Sequence, residues 1–422
     1  MKVLLVNTYD KGGAANACIR LHHGLNNVGV ASNLIVKHKT KSNIPDVFSF
    51  KPKSAILNFV YKIKFKIETF KNIYPNLNNR KNIFLKKRPK GLEMYSFPNS
   101  ICDITKSKFY QDADIIHLHW VADFLDWESF FKINTKPVVW TLHDQNPFLA
   151  GEHYAERFFG IDESGRPIPR QYTDDEIKMD NIVLSLKKQY LHKIKNLHIV
   201  TPSKWLLNSS QNSELFGAYS HHHIPYGFSD INFKPHEKTI ARHKFGIPEE
   251  KIVLLFVSEV VKHNRKGYTF LNKAMKELKE LDNLLLCTVG SGNFSDDNKD
   301  NVMHLGEIKN EADMAKAYSA ADGYIITSIE DNFPNTVVES LMCGCPVIAF
   351  PTGGIVDAVE HSLNGLISED ISVNSLVELI KKFINQFNSF NRQEISKIAS
   401  EKYSNSKQSE KYLKLYNQIL KI

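Results

Sequence analysis

A chain of 422 residues is too long for one hydrophobic core, so two or three domains are expected. Its 42% hydrophobic and 24% charged residues are those of a soluble globular protein, and no apolar run approaches the roughly 20 residues of a membrane helix. The net charge of +8 favours anionic partners without choosing among nucleotides, nucleic acid and lipid headgroups.

The opening MKVLLVNTYD turns polar at Asn7, which makes it a first strand, Lys2 to Asn7, rather than a signal peptide. A glycine turn, Lys11-Gly12-Gly13-Ala14-Ala15, leads into a helix from Asn16 to Asn27 and a second strand from Ala31 to Val36. Such a βαβ start invites a nicotinamide enzyme. However, the turn lacks G-x-G-x-x-G, and the second strand ends in Lys37 instead of a ribose-binding acid, so a dinucleotide is not expected. The five cysteines (Cys18, Cys102, Cys287, Cys343, Cys345) are scattered and form no C-x-x-C pair, as in a reduced, cytoplasmic chain.

Residues 51–90 hold twelve basic side chains (Lys51, Lys53, Lys62, Lys64, Lys66, Lys71, Arg80, Lys81, Lys86, Lys87, Arg88, Lys90) against one acid, Glu68. Ile56, Val60, Ile63, Ile67 and Phe70 recur at helical spacing between them. Two readings stand: a basic amphipathic helix lying on an anionic bilayer, and an ordinary domain helix with a solvated face. Interleaved aromatics (Phe59, Tyr61, Phe65) also suit nucleic acid, but no nucleic-acid module accompanies them and no such partner is expected.

Asp112-Ala113-Asp114 precedes a strand from Ile115 to His119 and reads as its start, not as a metal motif. His117 and His119 share one face of that strand. No third ligand follows at a recognised spacing, so they are read as core or cleft histidines, with no metal site. A strand from Pro137 to Leu142 ends in His143-Asp144, which places His143 in whatever cleft lies at the carboxyl edge. Residues 156–193 read as a polar, helical insertion. A strand from Leu197 to Val200 precedes Thr201-Pro202-Ser203-Lys204-Trp205, His221-His222-His223 reads as solvated loop, and Pro225 to Gly227 as a hinge.

A second α/β unit begins with a strand from Ile252 to Val257, then Lys262, Arg265, Lys266 and Gly267, and a helix from Tyr268 to Leu278. A strand from Leu284 to Val289 ends in Gly290-Ser291-Gly292. A strand from Val302 to Gly306 and a helix from Glu311 to Ala320 follow. Ala320 to Leu366 then reads as strand (Gly323 to Ser328), acidic loop (Glu330-Asp331-Asn332-Phe333-Pro334), helix (Val337 to Cys343, capped by Asn335 or Thr336), strand (Val347 to Phe350), Gly353-Gly354 and a helix from Ile355 to Glu360. The free N–H groups and dipole of a helix start at the carboxyl edge suit a phosphate. Glu339, one turn on, would meet vicinal ribose hydroxyls. The plainer alternative is that these acids only cap the helix electrostatically. Residues 372–422 read as helices.

Asp331 and Glu339, separated by seven residues and followed by Cys343-Gly344-Cys345-Pro346-Val347, resemble the donor-sugar site of retaining glycosyltransferases of GT-B fold, family 4. The resemblance covers almost the whole chain: the Gly12-Gly13 turn, Ser203 to Trp205, the linker His223 to Pro235, and Lys266-Gly267 all match. It implies an α/β protein with two Rossmann-like domains facing across a cleft: an acceptor-side domain 1–222, a nucleotide-sugar domain 223–407, and a last helix 408–422 crossing back to the first. It further implies sugar transfer, with retention and without a metal, from a nucleotide diphosphate sugar to a cell-surface glycan or lipid-linked acceptor. No cofactor is implied beyond that co-substrate. Carried onto this sequence, His143 and Asp331 contact the transferred sugar. Gly13, Arg265, Lys266, Gly290, Asn332, Phe333, Asn335, Thr336 and Glu339 hold the donor. A place in the cytoplasm, peripheral on the inner face of the cell membrane through residues 51–90, fits such an acceptor.

The departures from the family pattern are specific. Aspartate stands where glutamate is usual, and adjacent Glu330 is the alternative first acid. Tyr226 replaces an asparagine, and Ser258-Glu259 occupies the usual arginine position, leaving Arg265 as substitute. Gln145 to Phe148 differ from the usual run after the histidine. A nucleotide-sugar epimerase, a glycan phosphorylase and a catalytically inactive glycan-binding scaffold remain the competing readings.

Overall fold

Two parallel sheets carry the architecture of the computed structural model, which describes residues 1–42, 44–50, 77–155, 157–192, 194–260, 264–291 and 301–422. The first contains β1 (Lys2–Tyr9), β2 (Ala31–His38), β3 (Val47–Ser49), β4 (Ile115–Leu118), β5 (Val138–Thr141), β8 (Leu197–Thr201) and β9 (Ser220–His223), in the order β3-β2-β1-β4-β5-β8-β9. Between β5 and β8 the short strands β6 (Phe158–Ile161) and β7 (Pro167–Pro169) pair with each other. The second sheet contains β10 (Ile252–Val260), β11 (Leu284–Ser291), β12 (Val302–His304), β13 (Gly323–Ile326), β14 (Val347–Ala349) and β15 (Gly365–Ile367), in the order β12-β11-β10-β13-β14-β15. Strands such as LLLCTV and GYII are buried along their whole length because helices cover both faces of the sheet.

Strand order reverses between β1 and β4 in one sheet and between β10 and β13 in the other. Ligands of open α/β sheets bind outside the carboxyl ends of the strands at such a reversal. Here the two reversals face each other.

The chain crosses between the halves twice, side by side. The Phe228 amide donates to Tyr403 O (2.8 Å) and the Asn405 amide to Phe228 O (2.9 Å). Beyond this bridge the helix Asn405–Leu420 packs Tyr412, Leu415 and Tyr416 into the core of the first sheet, with Val3, Leu5 and Leu21. His117 is a core histidine: Nδ1 meets Tyr416 Oη and Nε2 meets Thr141 Oγ1, both at 2.7 Å.

Several expectations are corrected. Residues 158–169 form a hairpin rather than helix, because Asp162 Oδ1 accepts from Ser164 Oγ and the Arg166 amide and folds a turn that Gly165 completes. The helix follows at Asp174–Leu191, with a capping box between Thr173 and Glu176. His221 to His223 are not solvated loop but lie in the edge strand β9, where His221 Nε2 meets Ser210 Oγ at 2.9 Å. The helix after the acidic loop begins at Asn335 with Pro334 before it, and neither Asn335 nor Thr336 caps it, since both side chains bond elsewhere. Of the basic segment 51–90, residues 51–76 lie outside the described residues; Leu77–Lys87 is helical. Among the described residues no helix is long and apolar enough to cross a membrane, and all five cysteines are free and buried.

Candidate active site

A cleft of about 940 Å³ opens between the two strand-order reversals. Two helix N-termini converge on it: Gly13–Asn27 behind β1 and Asn335–Met342 behind β13. They touch where Asn335 Nδ2 donates to Gly13 O at 3.0 Å. The unpaired N–H groups and dipoles of two helix starts in one place suit an anion.

The acidic loop runs straight into the second of these helices. Asp331 Oδ2 takes Lys266 Nζ at 2.6 Å and Arg265 Nη1 at 3.2 Å. Burial disfavours its charge, but Lys266 and Arg265 outweigh burial and hold its pKa below the usual range. Asp331 lines the cleft, whereas Glu330 accepts from the Ala155 amide at 3.2 Å. The loop rests on Gly353, whose φ is +53° and where a Cβ would lie 1.7 Å from Asp331 O. Gly353-Gly354 is therefore a seat for the acidic loop, which is why side chains are excluded there.

The donor-site candidates divide. Gly13, Lys266, Gly290, Phe333, Asn335, Thr336 and Glu339 all line the cleft. The Gly290 amide donates to Gly306 O (3.1 Å), and Thr336 Oγ1 accepts from Tyr324 Oη (2.7 Å). Arg265 also lines it, but its guanidinium is engaged: Nε with Glu93 at 2.9 Å, Nη1 with Glu330 O at 2.9 Å, and its plane over Tyr154 at 4.0 Å. It braces the two halves, and Lys266 is the more mobile cation. Asn332 is similarly committed, donating to His143 O (3.1 Å) and accepting from Ser203 Oγ (2.7 Å).

His143 reaches the cleft at the end of β5 with both ring nitrogens occupied, Nδ1 by Tyr226 Oη at 2.7 Å and Nε2 by His119 Nδ1 at 3.0 Å. Burial pushes its pKa down to about 4, so the ring is neutral at pH 7. Contact between a ring nitrogen and a sugar hydroxyl therefore requires Tyr226 or His119 to give way.

Sequence reasoning missed several neighbours. Asp144 accepts from Trp120 Nε1 (2.7 Å) and His153 Nδ1 (2.6 Å), and His153 Nε2 meets Ser96 Oγ at 2.8 Å. This serine–histidine–aspartate line is buried, and Ser96 does not line the cleft, so it holds the wall rather than offering a nucleophile. Arg20, Glu93, Tyr154 and Glu311 were also missed. They lie far apart in sequence and carry no spacing signal, except that Arg20 sits two turns after Gly13 on the same helix.

Residues 237–401 match the family described as glycosyl transferases group 1. An uncharacterized glycosyltransferase of Methanocaldococcus jannaschii is 26% identical over 271 residues, 60% of this chain and 61% of that protein, so the match spans about three fifths of the relative's length. A D-inositol 3-phosphate glycosyltransferase of Actinosynnema mirum is 23% identical over 310 residues, 66% of this chain and 67% of that one. Among solved structures, the Anabaena protein HepE in complex with UDP and glucose has a TM-score of 0.65 and 17% identity, with 99% of both chains covered. That likeness establishes a common fold.

Proposed function

We propose, from the match of residues 237–401 to the group 1 glycosyl transferases and the fold shared with HepE, that the protein transfers a sugar, with retention of anomeric configuration, from a nucleotide diphosphate sugar to a hydroxyl of a cell-surface or lipid-linked glycan. The observation that carries this reading is the convergence of two helix N-termini and Lys266 on one end of the cleft, with a ring of carboxylates around it.

The diphosphate sits at the helix starts, near Gly13 and Asn335. Lys266 leaves Asp331 for the leaving phosphate, and a sugar hydroxyl takes its place on the Asp331 carboxylate. Each partner is then matched to charge that develops as the anomeric bond breaks. Helix dipoles and Lys266 supply the positive potential, so the reaction runs without a metal on this reading. Most of the carboxylates that line the cleft are held by cationic or histidine partners: Asp331 by Lys266 and Arg265, Glu93 by Arg265, Glu339 and Glu311 by Arg20, and Asp144 by His153. On this reading Asp331 is occupied by a sugar hydroxyl rather than poised as a nucleophile, and the acceptor hydroxyl attacks from the front side. Its proton passes to the departing phosphate oxygen, and configuration is retained.

HepE was solved with UDP and glucose, so UDP-glucose is the first donor to try. The acceptor approaches along Trp120, Met94 and Lys41 on the first domain's wall. The basic segment 51–90 fits a protein held at the inner face of a membrane, where a lipid-linked acceptor would lie.

The deciding experiment is thermal shift with UDP, GDP and ADP, then NMR of the product formed from the matching α-linked donor. An α-linked product supports the proposal. A β-linked product removes retention, and failure of all three diphosphates to bind removes the donor site.

A further inference from the structure

We propose that Arg20, reaching across from the first domain, is a positioning residue for the donor's nucleoside: it fixes Glu339 in the orientation that receives the two ribose hydroxyls and makes ribose recognition depend on contact between the domains. The inference rests on the donor reading above.

Arg20 lies on the helix Gly13–Asn27, two turns beyond the glycine that faces the other domain, and is 7% exposed. Its Nη2 bonds Glu339 Oε1 at 3.0 Å and Glu311 Oε1 at 2.7 Å, and its Nε bonds Glu311 Oε1 at 3.0 Å. The guanidinium plane rests on Phe228, 4.4 Å from the ring centroid, with Phe233 at 5.4 Å. Both rings belong to the crossing segment between the halves. The side chain is thus clamped by packing and by two acids of the opposite domain.

The hydrogen-bond count at Glu339 fits an organiser rather than a competitor. An ionised carboxylate has about four lone-pair positions. Oε1 gives one to Arg20, and Oε2 gives one to Tyr318 Oη at 3.2 Å. Each oxygen keeps another, so the acid still presents one acceptor per oxygen, the pattern a vicinal diol requires. Glu311 accepts on Oε1 from Arg20 and on Oε2 from Asn232 at 2.8 Å.

Electrostatics give Arg20 a second task. Glu339 faces Arg20 on the first helix, Glu311 and Tyr318 on the helix Glu311–Ala320, Tyr324 on β13, and Cys343 beyond its own helix. Burial raises its pKa and Glu311 adds to that, while Arg20 and Tyr318 oppose it. Without Arg20, only Lys41, acting on Glu311, is left to balance two adjacent acids, and Glu339 tends to stay protonated where it should accept hydrogen bonds.

The test compares a ribonucleoside diphosphate with its 2′,3′-dideoxy analogue by calorimetry, after UDP, GDP and ADP have been screened and the tightest chosen. Wild-type protein should prefer the ribo form by roughly 10- to 100-fold, the loss expected when hydrogen bonds to a charged acceptor go unmade. Arg20→Ala should erase most of that preference, and its affinity for the ribo form should depend more steeply on pH than that of wild type, rising with pH as Glu339 ionises. Arg20→Lys, a charge without the fork, should fall between. An Arg20→Ala protein that binds both ligands more weakly by one common factor, its preference intact, would show a merely structural role and overturn the proposal. If the alanine variant does not fold, unchanged preference in Arg20→Lys overturns it. Wild type that binds the diphosphate without preferring ribose sinks this inference and leaves the donor reading standing. Wild type that binds none of the three sinks both.

Discussion

Lys266 and Asp331 form an ion pair at 2.6 Å in the cleft, and the proposed chemistry gives each a separate task. Lys266→Ala should lower kcat by about 100-fold or more, since the leaving group loses a matched charge, and should change nucleoside diphosphate affinity far less; steady-state kinetics beside calorimetry separate the two. Equal losses in both would make Lys266 a binding residue only. The histidines give a second prediction. Burial lowers the pKa of His117 to about 3 and of His143 to about 4. The unfolded chain takes up protons below about pH 6.5 that the folded core refuses. Stability contributed by these neutral rings is therefore complete above about pH 6.5 and falls as pH drops toward 4, by about 1.4 kcal/mol per ring per pH unit. Denaturant titrations at several pH values check this, and a curve flat from neutral to mildly acidic pH would refute it. At this scale the sequence announced residues with neighbours in sequence: Lys266 beside Gly267, Asp331 and Glu339 on one loop and helix. It could not announce that Arg265 is spent on Glu93 and Tyr154, because those partners come from another domain, more than 100 residues away.

The elements were legible where periodicity is strong. β1, β2, β10, β11 and β13 are buried runs between turns, and their identity followed from the letters. The hairpin Phe158–Ile161 with Pro167–Pro169 was missed because its strands are short and half-buried, and it is held by contacts to the opposite domain: the Val373 amide donates to Gly165 O at 3.0 Å, and Asn264 Nδ2 to Phe158 O at 3.2 Å. No local pattern encodes such support. The last helix, Asn405–Leu420, offers a measurable element-scale quantity. Tyr416 Oη satisfies buried His117 Nδ1, and Tyr412 Oη satisfies Thr141 Oγ1. Tyr416→Phe leaves a ring nitrogen without a partner inside the core and should cost about 1–3 kcal/mol of unfolding free energy. Turnover at low temperature should hardly change, since the helix docks behind the sheet and away from the cleft. Chemical denaturation with matched activity assays tests both halves of that statement, and an active-site effect without a stability effect would contradict it.

Across the whole molecule, the two halves are drawn together by contacts that do not touch the proposed substrate. Asp357 of the second half accepts from the backbone amides of Lys204 (2.6 Å) and Trp205 (3.3 Å) at the start of the helix Lys204–Gln211, so one domain caps a helix of the other. Asn332 joins Ser203 to the His143 carbonyl across the same seam. A cap of this kind is worth about 1 kcal/mol, and the charge of Asp357 at a positive helix end adds to it. Closure therefore rests on a few separable contacts, each small against the free energy of folding but large against that of a domain motion. Asp357→Ala should shift the molecule toward an open form without unfolding either half. Small-angle scattering should report a larger radius of gyration for this variant, reversed by saturating nucleotide sugar. Its kcat/KM should fall by about tenfold for each ~1.4 kcal/mol lost from closure. Asn332→Ala should act in the same direction. Because both contacts serve one equilibrium, the double variant should lose less than the sum once the open form already predominates. Scattering curves identical to wild type in all three proteins, with reduced turnover, would mean that these contacts tune the site locally and that closure is set elsewhere.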